Sequence, residues 1–84
     1  MPTLAIVDGI VMRMYYADHG PPHFHAVRGE HEILVAIATL TVIGGKCPAA
    51  MQRTALAWAR NHQPALLECW NHCQRGEKPA RLEP

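Results

Sequence analysis

Residues 18–25 read Asp-His-Gly-Pro-Pro-His-Phe-His, which brings His19, His23 and His25 together with Asp18. Imidazoles can ligate a metal, shuttle protons or hydrogen-bond within a polar cluster. Two consecutive prolines brace the segment, because each ring fixes φ near −65° and removes an amide donor. Each proline also drives the preceding residue toward extended geometry. His23 and His25 lie two apart on an expected strand, so both point to one face, with Cα atoms about 6.6 Å apart. Such a pair can share one metal ion, zinc or another divalent transition metal, with Zn–N bonds of about 2.0–2.1 Å. His19 or Asp18 could add a third ligand and leave a position for water. A carboxylate can equally orient an imidazole from behind the ligand set.

Acid–base chemistry is the second possibility. Two of His19, His23 and His25 would serve as general base and acid, with Arg13 or Arg28 stabilising a phosphate. Tyr15 or Tyr16 could stack on a base, which completes the minimum equipment for metal-independent RNA cleavage. The default for such a cluster is structural: the histidines hydrogen-bond the loop and hold its shape. No Ser or Cys nucleophile arrangement, phosphate-binding glycine loop or dinucleotide fingerprint occurs in the chain. The His-Phe-His triplet departs from the histidine-triad nucleotide hydrolases at Val27, where a third alternating histidine would stand.

Other chemically capable residues have plainer readings. Cys69 and Cys73 are spaced i, i+4 and could chelate a metal with His72 or Cys47, but cysteine at apolar helical spacing is usually packed in a core. Trp58 and Trp70 fall on the buried stripes of two expected helices, each needing a partner for its indole N–H. Arg53 and Arg60 form a basic stripe on the outer face of the first helix, where solvent is the default neighbour.

The elements that must position these residues follow from the apolar pattern. Leu4 to Val7 reads as a short strand, and Asp8-Gly9 as a hairpin turn. Ile10 to Tyr16 alternates, with Ile10, Met12, Met14 and Tyr16 on one face and Val11, Arg13 and Tyr15 on the other. His23 to Arg28 forms a strand with Phe24 and Ala26 opposite the histidines, which places His23 and His25 on the open face of a sheet. Arg13 and Tyr15 can share that face, Asp18 and His19 would hang over its edge, and His31 could join from the next turn. Glu32 to Ala38 reads as a central strand, and Leu40 to Ile43 as a hairpin partner ended by Gly44-Gly45. The period then becomes helical: Pro48 suits a first turn, and Met51, Ala55, Trp58 and His62 share a stripe. Pro64 ends this helix and opens a second, with Leu66, Leu67, Trp70 and Cys73 buried and Gly76 as its stop. The expected fold is therefore α+β: a small antiparallel meander of four to five strands followed by two C-terminal helices on one face.

The chain has 84 residues, 49% hydrophobic and 18% charged, which fits one globular domain spanning residues 1–84, with 77–84 an extended tail. A formal charge of +1 gives no electrostatic case for nucleic-acid or membrane-surface binding. The N-terminal apolar stretch is interrupted by Asp8 and Gly9 and lacks a signal-peptide pattern. No apolar run approaches the ~20 residues of a membrane span. Three cysteines without a paired framework fit reduced thiols in a cytoplasm.

The segments GIVMRMYYADHGPPHFHA, GKCP and ALAWARNHQPALLECW, with the opening MPT, resemble the prokaryotic domain-of-unknown-function family 4160 almost end to end. The long YY-x-DH-x-PPHFHA signature carries most of the likeness. Where that family often has a tyrosine after the HFHA segment this chain has Arg28; Ala36 and Cys47 stand at two further points of departure. The resemblance implies a small cytoplasmic domain, often encoded beside another small family in toxin–antitoxin-like or regulatory pairs. It assigns no reaction and no catalytic residue. The expected function is capture of a small protein partner encoded nearby, on the open sheet face or a free sheet edge. The candidate binding residues are Arg13, Tyr15, Asp18, His19, His23 and His25. The alternative is a small enzyme centred on His19, His23 and His25, either an endoribonuclease or a metal-dependent hydrolase.

Overall fold

The computed structural model describes residues 1–84. Five strands, β1 (Thr3–Val7), β2 (Ile10–Arg13), β3 (His23–Arg28), β4 (His31–Ala36) and β5 (Val42–Lys46), are followed by α1 (Ala49–Arg60) and α2 (Gln63–Gln74). The strands lie in sequence order in one antiparallel sheet. This is the expected α+β arrangement, with five strands out of the expected four to five. No helix is long and apolar enough to cross a membrane.

Strand alternation builds the core. Ile10, Met12, Phe24, Ala26, Ile33 and Val35 are buried in one cluster with Met51, Ala55, Trp58 and Ala59 of α1 and Leu66, Cys69, Trp70 and Cys73 of α2. Phe24 meets Trp58 edge-on at 5.6 Å between centroids, an arrangement the ring quadrupoles favour. The indole N–H of Trp58 donates to the Glu83 carbonyl at 2.8 Å. Leu67, expected on the buried stripe, is instead 45% exposed, because α2 presents only Leu66, Cys69, Trp70 and Cys73 to the core. His62 is half-buried, stacked on Trp58 and held by the Trp58 carbonyl.

Three boundaries differ from expectation. Pairing in β2 stops at Arg13, although Met14 stays buried and donates its amide to the Pro2 carbonyl. β4 ends at Ala36, where Leu40 N–H bonds the Ala36 carbonyl and closes a turn over 37–40. Gly44-Gly45 does not end the last strand: β5 runs through both glycines. Gly45 has φ +80° and lies so close to the Glu32 carbonyl that a Cβ there would overlap it. The glycines thus permit a close, irregular pairing with β4, where the register shifts between Leu34 and Val35.

The C-terminal segment docks on the body. Pro79 is buried, Leu82 packs against the core, and Leu82 N–H donates to the Leu4 carbonyl at 2.7 Å.

Candidate functional site

β3 supplies both histidines, and its register sets their neighbours: His25 pairs with Arg13 on β2 and with Leu34 on β4, while His23 pairs with Ala36. Residues 14–22 arch back over these rings. Ala17 N–H donates to the Cys73 carbonyl at 3.2 Å, and Gln74 Nε2 donates to the Asp18 carbonyl at 2.9 Å, so the end of α2 pins the arch. Ile37 N–H donates to the Pro22 carbonyl at 3.0 Å and pins its other end. Ala17 takes the left-handed conformation, φ +50°, which is costly for a residue with a Cβ and turns the chain so that Asp18 faces the histidines.

One oxygen of Asp18, Oδ2, lies 3.1 Å from His23 Nε2 and 3.7 Å from His25 Nε2. The Asp18, His23 and His25 ligand atoms all fall within 4.8 Å of one another. Each imidazole is held from behind. His23 Nδ1 is 2.8 Å from the Pro21 carbonyl, and His25 Nδ1 is 2.9 Å from Glu32 Oε2. A carbonyl and a carboxylate only accept, so both Nδ1 atoms carry the proton. In the neutral rings the Nε2 lone pairs then converge on the carboxylate. His23 Nε2 can bond Asp18 only if protonated, and His25 Nε2 is buried without any hydrogen-bond partner.

The surroundings are partly apolar. His23 and His25 are 5% and 8% exposed, so the expected open face is covered here and the exposed rings inferred from sequence are corrected. The Tyr15 ring stands edge-on to His25 at 4.4 Å, and Trp70 lies 5.3 Å from His23. Partial burial raises the Asp18 carboxyl, but the His19 amide, together with His23 and His25 in their protonated form, outweighs it and leaves the group below its ordinary value. Asp18 is therefore an anion facing two nitrogens, an arrangement suited to a cation.

The expected constellation is met in part. Asp18, His23 and His25 converge on one face opposite Phe24. His19 contributes only its backbone N–H, to Asp18 Oδ1 at 2.8 Å, and is exposed. Arg13 shares the face through the strand register, but its guanidinium reaches the Met1 sulfur at 3.8 Å. His31 is exposed at the start of β4. Glu32 joins the site through His25 without any signal in the local sequence. Its cross-strand diagonal to His25 could be found only once the β3–β4 register was known. Cys69 and Cys73 are buried free thiols, as core packing requires, and burial pushes Cys69 up to about 11.

The sheet and site define a small α+β domain with a buried two-histidine, one-carboxylate cluster under a proline-braced arch. The family model described as "Domain of unknown function (DUF4160)" matches residues 9–71, and the chain belongs to this family. No curated protein and no solved structure matches the chain.

Proposed function

We propose that this domain is a metal-dependent binding module of the cytoplasm. A divalent transition metal, zinc or one of similar chemistry, is held by His23 Nε2, His25 Nε2 and Asp18, and ties the 14–22 arch to the sheet. The clamped domain then captures a small protein encoded beside it, in a toxin–antitoxin-like or regulatory pair. The observation that carries the metal reading is the buried, unpartnered His25 Nε2 beside an ionised carboxylate. A buried polar atom without a partner calls for a bound group. A single cation answers it and removes the conflict at His23 together.

The donor set fits that group. Tetrahedral zinc at about 2.0–2.1 Å needs ligand atoms about 3.3 Å apart; the two carboxylate–imidazole separations are 3.1 and 3.7 Å, and all three ligand atoms lie within 4.8 Å of one another, so the donors would close on the ion as it binds. Backing of each Nδ1 by a carbonyl or carboxylate is the usual support for metal-bound imidazoles. The partner reading is supported by β5, which forms an edge of the sheet with Ile43 47% exposed, a place where an extended segment can add a strand. The test joins both halves: metal content by elemental analysis, and pull-down of the neighbouring gene's product by metal-loaded and chelated protein. Bound metal with metal-dependent capture is expected. Metal-free protein that captures the partner equally well would refute the module.

Metal-dependent hydrolysis is the second reading. Three protein ligands leave a fourth position for water, as in catalytic zinc sites, and the Asp18 side chain is 28% exposed and gives solvent a way in. Cleavage of an RNA substrate by loaded protein, lost in His23→Ala, would favour it.

A further inference from the structure

A cleft of about 490 Å³ lies where Thr3, Tyr16 of the arch, Lys78 and Arg81 meet beside Met1 and Pro2. Its lining holds two cations and two hydroxyls and no carboxylate. The ion pairs of the molecule engage His23, His25, His72 and Arg75, so neither Lys78 nor Arg81 has a carboxylate within reach. Arg13 adds a third positive charge nearby through its contact with Met1. In a chain whose formal charge is only +1, this corner concentrates positive charge.

The segment carrying the two cations is fixed along its length. Glu77 N–H donates to the His72 carbonyl at 2.9 Å, Cys69 Sγ approaches the Ala80 carbonyl at 4.0 Å, Leu82 N–H bonds Leu4, and Glu83 accepts from Trp58. Lys78 and Arg81 flank the buried Pro79 on this pinned backbone, so only their exposed side chains are left to order when a ligand arrives. Tyr16, 41% exposed, is the aromatic residue of the same cleft.

We propose that this cleft binds a small phosphate-bearing ligand with a planar ring, such as a nucleoside monophosphate. Lys78 and Arg81 hold the phosphate, Arg through its planar fork, and Tyr16 stacks on the ring. The volume lies within the ~300–1,000 Å³ of ordinary ligand sites and exceeds what a lone phosphate fills. The site shares no residue with the histidine cluster.

Calorimetric titration with adenosine monophosphate, inorganic phosphate and adenosine tests it. The monophosphate should bind saturably and more tightly than phosphate, adenosine should bind far more weakly, and added salt should reduce the affinity. Lys78→Ala and Arg81→Ala should each weaken binding by about tenfold or more, the scale of one lost hydrogen bond to a charged group, without lowering the melting temperature. Tyr16→Leu should bring the monophosphate down to the affinity of phosphate. Absence of saturable binding, equal binding of adenosine and its monophosphate, or unchanged binding in the Lys78→Ala/Arg81→Ala double variant would overturn the proposal.

Discussion

The Nε2 atom of His25 stands 3.7 Å from Asp18 Oδ2, too far for a hydrogen bond and too near for indifference between a lone pair and an anion. The ring cannot turn away without giving up the 2.9 Å contact of its Nδ1 with Glu32. The pair is poised for a cation between them, and the arch that delivers Asp18 is pinned by α2, so the arrangement belongs to the fold rather than to a freely moving side chain.

Glu32 should therefore tune the site without holding the fold. Its side chain is 44% exposed, so Glu32→Ala should leave the melting temperature nearly unchanged. Zinc affinity should fall about 10–100-fold, as when an orienting carboxylate is removed from a metal-bound histidine. Calorimetric zinc titration of the variant checks this; an affinity equal to that of the parent would remove Glu32 from the site.

Gly45→Ala should destabilise the domain by more than about 1 kcal/mol, since alanine is strained at positive φ. Here its Cβ would also overlap the Glu32 carbonyl. Urea unfolding measures the change. An unchanged midpoint would mean that β5 detaches from β4 at little cost.

Trp58→Ala should cost about 3–5 kcal/mol, a large share of the ~5–15 kcal/mol that stabilises a typical domain. Trp58→Phe should keep most of that stability while losing the bond to Glu83, so the C-terminal segment should become more open to proteolysis. Thermal melts and limited proteolysis separate the two effects. Equal melting of both variants would show that burial of the ring is not what stabilises this contact.

The buried thiols should be inert near neutral pH. Burial, reinforced by Cys73 and Glu68, raises Cys69 from 9.0 to about 11, and burial raises Cys73 as well. A raised thiol favours the folded state below its ordinary value, and that contribution fades as pH rises from about 9 through 11. Alkylation of native protein should therefore label half-buried Cys47 first, with Cys69 and Cys73 reacting only on unfolding. Mass spectrometry reads the order; early labelling of Cys69 would contradict its burial.

Much of this architecture is legible in the residues because period decides it. Alternation at Ile10, Met12, Phe24 and Ala26 fixes which strand faces meet the helices, and the same alternation puts His23 and His25 together. What sequence leaves open depends on contacts between distant segments. The burial of the two rings comes from Tyr15, Trp70 and the arch, and the arch is set by Cys73 and Gln74 far along the chain. The role of Glu32 depends on a register that local pattern does not specify. The extension of β5 through Gly44-Gly45 was hidden because glycines ordinarily read as a stop, whereas here they admit a neighbouring carbonyl. Leu67 reads as buried from its type but is exposed, because apolar type alone does not settle which turn of α2 meets the sheet.

Zinc titration of metal-free protein beside its His25→Ala variant, followed by calorimetry, tests the central claim most directly. One zinc per chain in the parent, with binding abolished in His25→Ala while the variant keeps its fold by circular dichroism, is the predicted result. No zinc binding by the parent, or equal binding by both proteins, would contradict a metal centre at Asp18, His23 and His25.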